Sequence, residues 1–311
     1  MFRIGLVGVG SWGMRCAATL ERRGDAHVVL YARASGAGDV AIRGAMRAEN
    51  WQSLLTRARG GELDAVVVAT TPEHQAEVAR AAVLAGVPAV VEKPLGLSRA
   101  AAEHVLDAVR SSENPPPLFV NYVQLYTPGH RALRTLVRDA GTPVVSIGTQ
   151  GSNRGPFRRF SSLHDYAPHD ISLCLDLLGT DGTFRLGDVT KRPGVDGGEM
   201  FDVDFSLGAT RIAMRVGNGA TTKTRRFSAT LADGRTLTSD PLAPPERLLV
   251  DGDTPVPVSE TLPLDLMFSE FLTRVGSFKA RERNRDDELR NAAFSVRVNE
   301  ILDAIVEKTS S

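Results

Sequence analysis

Gly8-Val9-Gly10-Ser11-Trp12-Gly13 is a G-x-G-x-x-G run that directly follows the apolar, strand-like stretch Phe2 to Val7 and directly precedes a helical pattern. In that context Gly8 permits a tight turn, Gly10 lets the backbone approach a pyrophosphate, and Gly13 allows close helix–strand packing. The helix N-terminus adds oriented N–H donors, so the loop reads as a dinucleotide site with Ser11 and Trp12 beside the cofactor. Trp12 could cover the phosphates or the cleft, or serve as a core residue. An acid at the end of the second strand, about 20 residues on, would bond an adenosine 2′-hydroxyl. The stretch Leu30 to Ser35 has none. Arg33 and Ser35 stand there instead, an arrangement that suits a 2′-phosphate and favours NADP over NAD, unless Arg33 is simply a solvated surface residue.

Three further segments carry polar or ionisable groups: Thr70-Thr71-Pro72-Glu73-His74, Glu92-Lys93-Pro94 and Asp165-Tyr166-Ala167-Pro168-His169-Asp170. In their order and spacing, and together with the glycine loop, they resemble the glucose-fructose oxidoreductase / inositol dehydrogenase family, Gfo/Idh/MocA, over most of the chain. The resemblance implies a Rossmann domain followed by an open-faced-sheet domain. It also implies oxidation or reduction at a carbinol or carbonyl carbon of a sugar, nucleotide sugar or cyclitol. Carried over position by position, the catalytic residues are Lys93, Asp165 and His169. Thr70, Thr71, Pro72, His74, Glu92 and Lys93 join the glycine loop around NAD or NADP, and Asn121, Tyr122, Arg154 and Arg158 join Lys93, Asp165 and His169 around the substrate.

The chemistry fits these residue types. Moving hydride at a carbinol carbon requires a proton to leave or join its oxygen, and histidine titrates near neutral pH. An ammonium such as Lys93 would stabilise alkoxide character on that oxygen, while Asp165 would orient His169 or the hydroxyl. Each residue also has a plain structural alternative: Lys93 pairing with Glu92, Asp165 capping a helix, His169 satisfied in the core. Pro168 is expected in the first turn of its helix, where a missing N–H is no loss. Phe160-Ser161-Ser162-Leu163-His164 replaces the glycine-rich lead-in common in the family. Arg154, Arg158 and Arg159 could bind the phosphate or carboxylate of an anionic sugar, or be a solvated loop. The competing functions are a non-catalytic NAD(P)-binding sensor and a reductase of a non-sugar C=O or C=N group.

These residues must be held by elements of two kinds. Phe2 to Val7, Ala26 to Tyr31, Ala65 to Ala69, Ala89 to Val91 and Leu118 to Asn121 are continuously apolar strands separated by helical stretches. That pattern predicts a doubly wound parallel sheet over residues 1–121. Residues 122–311 are predicted to be a second, α+β domain. A helix follows Pro128, and strands follow at Pro143 to Gln150, Phe184 to Thr190, Met200 to Leu207, Arg211 to Val216, Arg225 to Leu231 and Arg235 to Thr238. Asp233-Gly234 marks a hairpin, and the run of hairpins predicts a mostly antiparallel sheet with one open face. That face would make a homodimer or homotetramer. Leu262 to Val275 and Asp286 to Val306 are helical, and they are expected to pack back near the first domain.

Composition narrows the rest. The 311 residues hold 37 Lys+Arg against 37 Asp+Glu, so no excess positive charge drives nucleic-acid or anionic-membrane binding. The longest apolar run, Ala81 to Val91, is too short for a span and contains Gly86 and Pro88. Cys16 and Cys174 lie in apolar helical patterns, as core thiols do. His74, His104, His130 and His164 have no metal-ligand spacing, so no catalytic metal is expected. With no basic-then-apolar leader at Met1, the expectation is a soluble cytoplasmic enzyme.

Overall fold

A computed structural model describes residues 1–32, 42–243, 247–282 and 285–310. The chain divides into two compact units, residues 1–121 with 264–299 and residues 122–263 with 300–311.

The first unit alternates strand and helix: β1 (Phe2–Val7), α1 (Ser11–Arg23), β2 (Ala26–Ala32), β3 (Met46–Arg47), α2 (Trp51–Arg59), β4 (Ala65–Val68), α3 (Pro72–Leu84), β5 (Ala89–Glu92), α4 (Arg99–Ser111) and β6 (Leu118–Asn121). All pairings are parallel, in the order β3-β2-β1-β4-β5-β6. The four residues of β4 and the four of β5 are buried throughout, because helices cover both faces of a parallel sheet. Punctuation follows local chemistry. Gly24 ends α1 at φ 76°, and Asn50 and Ser53 close a capping box on α2.

The helices α7 (Pro263–Lys279) and α8 (Arg285–Ser310) add to this unit over residues 264–299. Phe271 of α7 packs edge-on against Phe119, with ring centroids 5.4 Å apart. Glu288 of α8, fully buried, accepts the Leu118 N–H at 2.9 Å and pairs with Arg274 at 3.0 Å. Asn299 donates through one amide nitrogen to the carbonyls of Leu95, Gly96 and Ser98, at 3.1, 3.3 and 3.0 Å, and so secures the turn after β5.

The second unit contains α5 (Pro128–Ala140), β7 (Val144–Arg154), α6 (Leu163–Leu178), β8 (Phe184–Pro193), β9 (Glu199–Leu207), β10 (Thr210–Gly217), β11 (Gly219–Leu231), β12 (Thr236–Asp240), β13 (Arg247–Val250) and β14 (Thr254–Val256). Its eight strands run in the order β14-β13-β12-β11-β7-β10-β9-β8. Pairing is antiparallel except between β7 and β10. Along β10, core-facing Ile212 and Met214 alternate with exposed Arg211, Ala213 and Arg215, as a sheet with one open face requires. Strands run longer than the apolar pattern suggested, because the Gly219 to Thr224 end of β11 is polar and shifts register against β7.

Helix α6 begins at Leu163, so Pro168 is its sixth residue rather than a first-turn residue. The backbone explains the early start: the N–H of His164 bonds to Ser161 O, and those of Asp165 and Tyr166 to Ser162 O. No helix among the described residues is long and apolar enough to cross a membrane.

Candidate active site

In the first unit the predicted cofactor residues gather at the carboxyl ends of β1, β4 and β5, where open α/β sheets hold ligands. Gly8 lies at φ 98°, and a Cβ there would sit 2.4 Å from the Ala69 carbonyl oxygen. A Cβ on Gly13 would sit 2.1 Å from Gly8 O. Packing within the protein therefore requires both glycines. It does not require Gly10, where a Cβ would meet nothing within 4 Å. Gly10 is the N-cap of α1, whose first turn has no acidic residue and no side-chain cap. An open approach to an uncapped helix N-terminus fits a pyrophosphate. Ser11 is exposed there, and Trp12 is half-buried.

Thr70 and Thr71 close β4, with Pro72 opening α3, and the buried Gln75 amide donates to Thr70 O at 3.0 Å. His74 is exposed on α3, 4.0 Å from the Glu77 carboxylate. Arg33 and Ser35 lie outside the described residues.

At the end of β5, Glu92 is buried and Lys93 half-buried, and the Lys93–Pro94 peptide is cis. Asn121 pairs across from Glu92 in the β5–β6 ladder and donates its amide to Glu92 Oε1 at 2.6 Å. The carboxylate can only accept, so this bond fixes which way the amide points. The Asn121 carbonyl oxygen is then buried with no hydrogen-bond partner among the described residues. Glu92 Oε1 also accepts the Trp12 indole N–H. Burial pushes the Glu92 carboxyl up to about 7, against the opposing pull of Asn121, the Lys93 charge and Trp12.

In the second unit the remaining residues cluster at the start of α6. From Leu163 to Leu175 every residue is buried except Asp165 and His169, which are half-buried. Four residues apart, they share one helix face. Arg158 Nε donates to Asp165 Oδ2 at 2.7 Å, and its guanidinium carbon lies 5.9 Å from the Phe160 ring centroid. Phe160 stands edge-on to His164. Arg154 is turned to Asp196, with Nε 2.5 Å from Oδ2, and Arg159 is exposed, so only Arg158 of the three arginines meets a predicted catalytic residue. Tyr122 is buried before a short 3-10 turn, Val123–Tyr126.

Several residues that shape this cluster had no role in the sequence reading. Asp170, fully buried, is met by Arg225 Nη1 at 2.9 Å, and burial raises its carboxyl against that pull. A Cβ on Gly151 would fall 2.5 Å from Arg225 Nη1 and 2.6 Å from Asp170 Oδ2, so that glycine makes room for the pair. The Tyr166 hydroxyl donates to Gly155 O at 2.6 Å, and burial pushes it up to about 12. Glu199 accepts the Ser162 N–H at 3.1 Å. Only Asp170 had a sequence signal, as a second acid beside His169; the other partners are distant in the chain.

Residues 2–122 match the GFO_IDH_MocA profile, an oxidoreductase family with an NAD-binding Rossmann fold. Inositol 2-dehydrogenase of Rhizobium meliloti (strain 1021) is 26% identical over 186 residues, which are 58% of this chain and 56% of that enzyme. A crystal structure from Magnetospirillum magnetotacticum MS-1 superposes with a TM-score of 0.77 at 27% identity, over 97% of this chain and 99% of that one. KijD10, a 3-ketoreductase from Actinomadura kijaniata solved with TDP-benzene and NADP, superposes over 98% and 97% with a TM-score of 0.79. At 19% identity that likeness shows the fold alone. The match places the N-terminal domain, residues 2–122, in the Gfo/Idh/MocA oxidoreductase family.

Proposed function

We propose that the chain is an NAD(P)-dependent oxidoreductase acting at a carbinol or carbonyl carbon of a sugar, nucleotide sugar or cyclitol. The bound dinucleotide supplies the hydride donor or acceptor. The Gly8 to Gly13 backbone and the start of α1 bind its pyrophosphate, and the ends of β4 and β5 receive the remainder. Lys93 presents an ammonium to the reacting oxygen and stabilises negative charge there. His169 gives or takes the proton on that oxygen through a ring nitrogen. Asp165 orients, and Arg158 holds Asp165 in place.

The observation that carries this reading is the Asp165–His169 face: a stretch of helix buried at every other position leaves open the two residues that proton transfer needs. A protein that only sensed dinucleotide would have no use for them. NADP is favoured over NAD because Arg33 and Ser35 replace the acid expected after β2. KijD10, solved with NADP and a TDP compound, sets nucleotide sugars beside cyclitols as substrates to try. Two buried free thiols suit the cytoplasm.

Assembly as a homodimer or homotetramer is supported by the open sheet face, where Asp202 and Asp204 on β9 run beside Arg211 and Arg215 on β10. Self-complementary stripes of this kind suit a two-fold pairing.

Calorimetric titration with NADH and NADPH, followed by turnover of a panel of cyclitols, sugars and nucleotide sugars, tests the reading. Tighter NADPH binding and turnover of a panel member are expected. Binding without turnover of any of them would leave a non-catalytic dinucleotide binder.

A further inference from the structure

The glycine loop and Lys93 leave different strands, β1 and β5, and β4 lies between them in the sheet. No ladder hydrogen bond joins β1 to β5, and one intervening strand separates them by about 10 Å. A side chain makes the connection. Trp12, the second residue of α1, crosses the end of β4 and gives its indole N–H to Glu92, the residue before Lys93. The Arg15 guanidinium lies 5.0 Å from the Trp12 ring centroid, so the indole is engaged by its face as well as its edge. Trp12 and Asn121 converge on the same carboxylate oxygen.

A buried carboxylate is costly, and replacing it with an apolar residue would spare that cost if its only task were to fill space. We propose that Trp12 is a positioning residue: its hydrogen bond to Glu92 locks the dinucleotide loop to the segment that carries Lys93, so the two are held in register. The proposal rests on the reading of the loop as a dinucleotide site and adds to it a specific residue through which that site and Lys93 are coupled.

The coupling is sensitive to pH. Among the described residues the charged groups around Glu92 are Lys93 beside it and Arg15 beyond the indole, and Cys16, whose thiol burial pushes well above its ordinary value, stays neutral. Glu92 itself titrates near 7, and both N–H donors favour its charged form. The indole grips hardest when the carboxylate is ionised.

The chain has two tryptophans, so in a Trp51→Phe protein Trp12 reports alone. Its emission is expected to titrate with a midpoint near 7, and Glu92→Gln should flatten that titration. In the calorimeter, Trp12→Phe keeps an aromatic ring, loses the N–H, and is expected to weaken NADH and NADPH about tenfold, the scale of one charge-assisted hydrogen bond. Glu92→Gln keeps an acceptor for the indole but no titrating charge, so the pH dependence of its affinity between pH 6 and 8 should disappear. Wild-type affinity in a folded Trp12→Phe protein would overturn the positioning role while leaving the dinucleotide site intact. Identical Trp12 emission at pH 8 in Trp51→Phe proteins with and without Glu92→Gln would mean that the indole does not meet that carboxylate and would also overturn it, and this test stands even if Trp12→Phe does not fold. Failure of the wild-type chain to bind either dinucleotide would end the cofactor reading and the role of Trp12 with it.

Discussion

Two buried carboxylates, one in each unit, are satisfied in different ways. Glu92 in the first unit receives neutral N–H donors from Trp12 and Asn121, with Lys93 beside it in the chain. Asp170 in the second unit receives a guanidinium, Arg225, at 2.9 Å. Neutral donors hold the Glu92 carboxyl without a guanidinium against it, whereas the Arg225 guanidinium, which never loses its proton, ties Asp170 into the scaffold even though burial raises that carboxyl too. The first arrangement suits a residue whose neighbours must respond to a bound ligand. The second suits an anchor, and between Leu163 and Leu175 of α6 the half-buried residues are Asp165 and His169, with Asp170 turned inward against β11.

The sharpest way to break this comparison is to remove the groups assigned to chemistry and leave the anchors alone. Lys93→Met is expected to lower turnover by about 10²–10³ and His169→Asn by about 10²–10⁴, each with dinucleotide affinity little changed. Asp165→Asn should act in the same direction but less severely. Single-turnover kinetics beside a cofactor titration and a melting curve separates the effects. Near-wild-type rates in folded Lys93 and His169 variants would sink the catalytic assignment.

A second comparison lies inside the glycine loop. Gly13→Ala would drive a Cβ to 2.1 Å from a backbone oxygen and is expected to cost about 3 kcal/mol or more in stability. At Gly10 the same substitution meets nothing within 4 Å, so Gly10→Ala should melt like wild type while binding dinucleotide about tenfold more weakly or worse. If the two alanines behaved alike, packing alone would explain the motif.

The contrast also shows what a linear reading can recover. Gly8, Gly13 and the strand–helix alternation were legible because backbone geometry and burial constrain residues close together in the chain. Trp12 was named as a cofactor or core residue, but its bond to Glu92 joins positions 80 apart and leaves no local mark. The pairing of Arg158 with Asp165 depends on the path of the loop between them, which the residue types do not reveal. The start of α6 is not legible in this way, because Pro168 suggests a first turn, while the backbone carbonyls of Ser161 and Ser162 open the helix before it.

Smaller still is the effect of Arg158. Its Nε serves Asp165, and the guanidinium is exposed enough to meet an anionic group as well. Arg158→Ala should weaken anionic substrates about tenfold more than neutral ones, with an advantage that shrinks as salt rises. Equal losses for neutral and anionic sugars would restrict Arg158 to holding Asp165.

The gentlest test uses pH and needs no substrate. Glu92 and Glu288, both in the first unit, are pushed by burial from 4.5 to about 7. In the second unit, burial pushes Asp176 up, but His130 and Arg134 overcome it and leave the carboxyl below its ordinary value. A raised carboxyl binds its proton more tightly when folded, so between pH 4.5 and 7 such a group is more protonated in the folded than in the unfolded state, and its contribution to stability falls as pH rises. A lowered carboxyl has the opposite sign and loses its contribution as pH falls through its folded value. Glu288→Gln keeps an acceptor for the Leu118 N–H, and Arg274 keeps Asp287 at 2.9 Å. The variant should therefore lose less stability than wild type between pH 5 and 8, by about 1–3 kcal/mol. Denaturant midpoints at four pH values measure the slope directly. Parallel slopes for the two proteins would mean that Glu288 is already ionised throughout, and that Arg274, rather than burial, governs its charge.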